Sequence, residues 1–149
     1  MSGRICNVAQ TALLTLIFQN TAYANVGNAG GLQPSSAAGS FFISLNTADP
    51  GAAGTLTTSE SAYTNYAEQS VARSSGGWTI TGTSPATAEN AAAVTFPACG
   101  ATGSTVTWFQ VGLTSGGNAM FQGSLTASLI INAGITPSFA INALQCTLD

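Results

Sequence analysis

Near the N-terminus, apolar positions recur at spacings of three and four. Ile5, Val8, Ala9, Ala12, Leu13, Leu16 and Ile17 make this series, with Gln10, Thr11, Thr15 and Gln19 between them. The pattern predicts an amphipathic helix from about Arg4 to Asn20, with Ser2 available as N-cap and the Asn- and Gly-rich stretch Asn25 to Gly31 ending it. Beyond Pro34 to Gly39 the period falls to two. Phe41, Ile43 and Leu45 alternate with Phe42, Ser44 and Asn46, a strand that stops at the turn Asp49-Pro50-Gly51. A polar arm follows as far as Gln69. Val71 with Arg73, then Trp78 with Ile80, read as two short strands joined by a hairpin loop at Ser74 to Gly77.

Gly82 to Asn90 reads as a loop, and Ala92, Val94 and Phe96 alternate up to the stop at Pro97. In Thr105 to Leu113 the alternation places Phe109, Val111 and Leu113 inward and Trp108 and Gln110 outward. Ser115 to Asn118 turns the chain into Ala119 to Gly123, Leu125, Leu129 and Ile131 mark a further strand, and Gly134 breaks it. Phe139, Ile141, Leu144 and Cys146 close the chain in one or two last strands.

Roughly eight or nine short strands with regularly spaced turns, after one helix, predict an all-β fold: an antiparallel β-sandwich, jelly-roll-like, preceded by one N-terminal amphipathic α-helix. Residues 1–24 are the helical segment and residues 25–149 a single sandwich domain. The apolar run Leu13 to Phe18, followed by Ala22-Tyr23-Ala24, imitates a signal peptide. Its polar interruptions favour a retained helix, and no apolar run reaches transmembrane length.

Charge changes the picture most. Only 5% of residues are charged, Arg4 and Arg73 are the sole bases, and the net charge is −3. Nucleic acid and anionic membranes need clustered Lys or Arg to displace counterions, so neither is expected as a partner. A surface so poor in charge is also poorly protected against self-association, which points to a homo-oligomer, a dimer or trimer. Cys6, Cys99 and Cys146 are odd in number and lack C-x-x-C spacing, so neither a closed disulfide framework nor a zinc site is indicated. Reduced, mostly buried thiols are expected, with one disulfide and a leftover thiol as the alternative.

The absence of histidine and lysine removes Ser-His, Cys-His and Ser-Lys nucleophiles as well as Schiff-base chemistry. Of the carboxylates Asp49, Glu60, Glu68, Glu89 and Asp149, only Glu60 and Glu68 suggest a glycosidase-like pair, and they sit in the polar arm without an aromatic cleft signature. Asp49 is expected to order its own turn. No Gly-rich stretch is followed by the lysine and hydroxyl residue of a P-loop. The chain is thus expected to be no enzyme and to carry no cofactor or metal. Tyr63 and Tyr66 read either as anchors of the arm or as contacts for a partner; Trp78 reads as core and Trp108 as an interface residue.

The arm also carries a likeness. T-A-D-P-G at Thr47 to Gly51, Y-T-N-Y-A at Tyr63 to Ala67, V-A-R-S-S-G-G-W at Val71 to Trp78, V-T-F-P-A at Val94 to Ala98, V-T-W-F-Q-V-G at Val106 to Gly112 and G-I-T-P at Gly134 to Pro137 occur in order. In this the chain resembles a family of small bacteriophage structural proteins labelled either capsid decoration (cement) or tail fibre. Asn46 and Trp108 stand where the family pattern has histidines. The resemblance implies a virion protein made in the host cytoplasm. Its leading form is a cement protein on the outer surface of the head, bridging subunits of the major capsid protein; its alternative is a tail or fibre component presenting the sandwich to a host. For either, the expected contact residues are Ile5, Val8, Leu13, Leu16 and Ile17 on the helix, with Tyr63, Tyr66 and Trp108.

Overall fold

A computed structural model describes residues 5–82 and 85–148. The fold is mostly β with antiparallel sheet pairings, and among the described residues a single helix stands near the N-terminus, in keeping with the predicted all-β class. Two compact units interleave along the sequence: Met1–Gly39, Ala72–Ala93 and Ala140–Asp149 form one, and Ser40–Val71 and Val94–Phe139 the other.

In the first unit, α1 (Asn7–Gln19) lies on a three-stranded sheet made of β3 (Trp78–Thr81), β4 (Ala86–Asn90) and β9 (Gln145–Leu148), with β4 central. The helix begins later than expected, at N-cap Cys6, which makes no side-chain capping bond; Ser2 and Arg4 lie outside the described residues. It also buries a different face. Gln10, Leu14 and Phe18, four residues apart, point inward, and the Phe18 ring sits 4.7 Å from Trp78. Leu14 and Phe18 are apolar but fall outside the series read from the sequence, so the helix has more apolar surface than one sheet covers.

Arg73 ends the helix. Its guanidinium donates to the carbonyls of Leu16 (3.2 Å) and Ile17 (2.7 Å), satisfying acceptors that the last turn leaves without intrahelical partners. Asn20 then adopts φ 53°, and its side chain exchanges hydrogen bonds with Ser35.

Residues 86–90, read as loop from their alanines and threonines, are the central strand, alternating buried and half-buried. Asn90 explains how a polar residue closes it: the amide donates to Ala92 and Ala140 carbonyls and accepts from the Leu144 N–H, each at 2.7–2.8 Å. The expected hairpin at Ser74 to Gly77 is a turn and not a strand pair, because β3 hydrogen-bonds β4 whereas β2 (Gln69–Ala72) joins another sheet.

That sheet organises the second unit, in the order β2, β1 (Ser40–Asn46), β6 (Ser104–Gly112), β7 (Ala119–Ile131), with β5 (Val94–Thr95) and β8 (Ser138–Phe139) as a separate two-stranded ribbon. Paired residues share a face. Leu45 opposite Phe109, and Ile43 opposite Val111, therefore line one side, where Phe109 meets Phe139 of the ribbon at 5.9 Å. Gly123 pairs with Phe109, and a Cβ there would lie 2.7 Å from its ring.

The opposite side departs from expectation. Gln110, read as outward, is fully buried, and Trp108 is half-buried, because the polar arm folds over this face. Asn46 organises the buried layer, donating to Thr58 O (2.9 Å) and Gln110 Oε1 (3.0 Å) and accepting from Ser44 Oγ. Gly54 lets the arm approach: a Cβ there would meet Pro50 O at 2.7 Å and Gln110 Nε2 at 3.0 Å. Leu113, expected inside, is 45% exposed at the start of the turn. The two strands expected in 119–131 are one 13-residue strand, with Leu125 to Ser128 bulging opposite Thr107.

Candidate functional site

The polar arm makes the most developed surface feature of the second unit. Asp49 orders its start as expected, accepting the Gly51 N–H at 2.8 Å. Ser59 to Ser61 then run beside β1: Thr47 N–H bonds Ser59 O and Ser61 N–H bonds Leu45 O, both at 2.7 Å. This places Glu60 opposite Asn46 and leads into Tyr63 and Tyr66.

The tyrosines serve as anchors. Tyr63 is 2% exposed and donates its hydroxyl to Pro97 O at 2.8 Å. Tyr66 meets Tyr63 edge-on at 5.2 Å and stacks on Phe96 at 6.2 Å, and Phe96 in turn contacts Phe139. A row of rings thus ties the arm to the ribbon and the sheet, and such aromatic pairs add about 0.5–1.5 kcal/mol each beyond simple burial.

Between arm and sheet lies a cleft of about 410 Å³ lined by Phe42, Thr57, Glu60, Tyr66, Ala67, Glu68, Ser115 and Gly116. Three polar groups define it. The Tyr66 hydroxyl accepts the Leu45 N–H at 3.0 Å, and the Glu60 carboxyl lines the same cleft. The two oxygens of Glu68 accept the Gly116 N–H at 3.1 and 3.2 Å, fastening the arm to the turn between β6 and β7.

Burial raises the Glu60 pKa; the Tyr66 hydrogen bond opposes that shift and the Glu68 charge adds to it. Burial likewise pushes the Tyr66 phenol far above its ordinary range, with Leu45 N–H opposing and Glu60 and Glu68 adding. Tyr63 is raised by burial and then by Cys99. A phenol held neutral is no base at ordinary pH, and the Glu68 carboxylate already accepts a bond that holds the arm. The cleft offers acceptors and a proton-sensitive carboxyl, with no cation among its lining residues.

The other residues singled out by sequence scatter in burial. Val8 is 80% exposed, Ile5, Leu13, Leu16 and Ile17 are half-buried, and Trp108 is half-buried on β6. The structure brings Tyr63 and Tyr66 together with Glu60 and Glu68, a grouping that sequence spacing presented only as a doubtful catalytic pair. The signal was there in the clustering of all four within the arm.

Cys99 and Cys146 are buried and Cys6 is exposed, and all three are free thiols. Burial pushes the Cys146 thiol up to about 12, which keeps it an unreactive core group. Among the described residues no cluster of three or more His, Cys, Asp or Glu could hold a metal ion, and no helix is long and apolar enough to cross a membrane.

No curated protein matches this chain. A family model described as "Podophage GP4 fiber I protein gp80" matches residues 4–147, which takes in both units and the arm. With the match running through nearly every element described above, the chain belongs to the podophage GP4 fiber I protein gp80 family and is a bacteriophage virion structural protein.

Proposed function

We propose that this protein is a fibre component of the virion tail that acts by assembly and surface contact and not by catalysis. The observation that carries the reading is the family match over residues 4–147, which favours fibre over the capsid cement role expected first from sequence. The surface supports it. With 5% charged residues, contacts between copies rest on neutral hydrogen bonds and apolar area, which suits a permanent homo-oligomer.

Two exposed features are suited to such contacts. Val8 stands on the outer side of α1, and β7 is the last strand in its sheet among the described residues. Thr55 bridges Asn118 at the start of β7, and Gly54 O accepts the Ala119 N–H, so the arm covers only that end. The rest of β7 carries neither charge nor proline, and its bulge is the one device that limits edge pairing. Ile130, 62% exposed, lies on this strand.

The test is to separate heads from tails of purified virions and quantify the chain in each against the major capsid protein. A few copies per particle, travelling with tails, are expected. Hundreds of copies with the heads would overturn the fibre reading and restore capsid decoration, with the major capsid protein as partner.

A further inference from the structure

We propose that a second copy of this chain adds to the outer edge of β7, antiparallel about a two-fold axis through Gly123, so that the sheet runs on from one copy into the next. The inference rests on the assembly reading above and names the contact that carries it. Hydrogen bonds elsewhere in the sheet fix which backbone groups point outward. Leu45 gives its N–H to the Tyr66 hydroxyl and accepts the Ser61 N–H at its carbonyl, so both groups turn away from β6. Phe109, opposite Leu45, must then direct its own N–H and C=O toward Gly123 of β7, because bonded and unbonded pairs alternate across an antiparallel ladder. The register is regular from Trp108 to Val111, so the residues flanking Gly123 face the other way. The N–H and C=O of Gln122 and Ser124 therefore point out of the edge of the sheet. Both residues are exposed, and among the described residues no other segment's backbone bonds them.

Those groups are their own complement. With the axis on Gly123, Gln122 lies opposite Ser124 of the second copy, and every outward N–H of these residues meets an outward carbonyl of the other copy. The two glycines face each other as an unbonded pair, the closest approach in such a ladder. Both ends of the contact are marked: Gly54 O already holds the Ala119 N–H, and the bulge at Leu125 to Ser128 bends the strand. Beside the first half of the edge lies a groove of about 260 Å³, lined by Gly51, Ala52, Ala119, Met120, Phe121 and Gln122, which carries no charge. The occupant follows from this lack of charge. No residue of β7 is ionised, so pairing the strand with itself sets no like charges opposite each other, and the edge offers a charged peptide no counterion.

Amide hydrogen exchange of the full chain, followed together with sedimentation over a range of protein concentration, tests the pairing. Protection of the Gln122 and Ser124 amides is expected to rise several-fold in step with the associated fraction, while the Gly123 amide, directed at β6, is protected throughout. Ser124→Pro removes one outward donor per copy and leaves the bonds to β6 in place. It is expected to lower the association constant about tenfold, with the urea unfolding midpoint little changed. If that variant fails to fold, Gln122→Lys combined with Ser124→Lys, which sets ammonium groups opposite each other, is expected to weaken association likewise. Association that leaves both amides unprotected, or that survives these changes undiminished, would overturn the β7 pairing while the assembly reading stands. A chain that stays monomeric at every concentration would overturn the pairing and the self-assembly on which it rests.

Discussion

Arg73 shows how much one side chain can carry when charge is scarce. Its guanidinium reaches the carbonyls of Leu16, Ile17 and Ala38 and the Ser35 hydroxyl, joining the last turn of α1 to the following loop. Hydrogen bonds made by charged groups contribute about 1.5–3 kcal/mol, so Arg73→Ala is expected to lower unfolding free energy by that order in urea titration. Arg73→Lys should recover little, since an ammonium cannot span the same fork of acceptors. Gly123 is constrained from the opposite direction. Its missing Cβ makes room for the Phe109 ring, and Gly123→Ala is expected to cost about 1–3 kcal/mol by overpacking, read as a lower thermal midpoint.

The helix and β7 each show a mismatch between what an element offers and what its unit covers. α1 spends Gln10, Leu14 and Phe18 on β3 and β4, so removing it would strip the core of the first unit and confuse loss of folding with loss of binding. Point changes are cleaner. Val8→Glu and Ile130→Lys, at positions 80% and 62% exposed, are each expected to weaken self-association in sedimentation equilibrium while shifting unfolding free energy by no more than about 0.5 kcal/mol. The strands were legible in sequence where alternation was carried by Phe, Ile and Leu, as in β1 and β6. They were not legible in β4, whose Ala86 and Ala88 bury little area and gain their strand from pairing with both β3 and β9. The inside and outside of β6 were half legible: alternation assumes one wet face, and the arm removes it by burying Gln110 under Gly54.

For the molecule as a whole, scarcity of charge bears on the proposed assembly of copies. Contacts between neutral surfaces are expected to hold their strength as salt rises from about 0.05 to 0.5 M, where screening would dissolve an association built on exposed ion pairs. Sedimentation across that range checks it; a steep loss would show that the few carboxylates and Arg4 or Arg73 drive assembly.

Composition and period by themselves determined the class of this protein: an all-β chain behind one helix, poor in charge and without histidine or lysine. Those are properties of each segment's own side chains, and no partner segment is needed to read them. The tertiary structure decided which helix face is buried, that residues 86–90 are a central strand, and that Glu60, Tyr66 and Glu68 share one cleft. These depend on which distant segment comes to lie against which. Burial and hydrogen bonding between such segments outweigh the local preferences that a sequence displays.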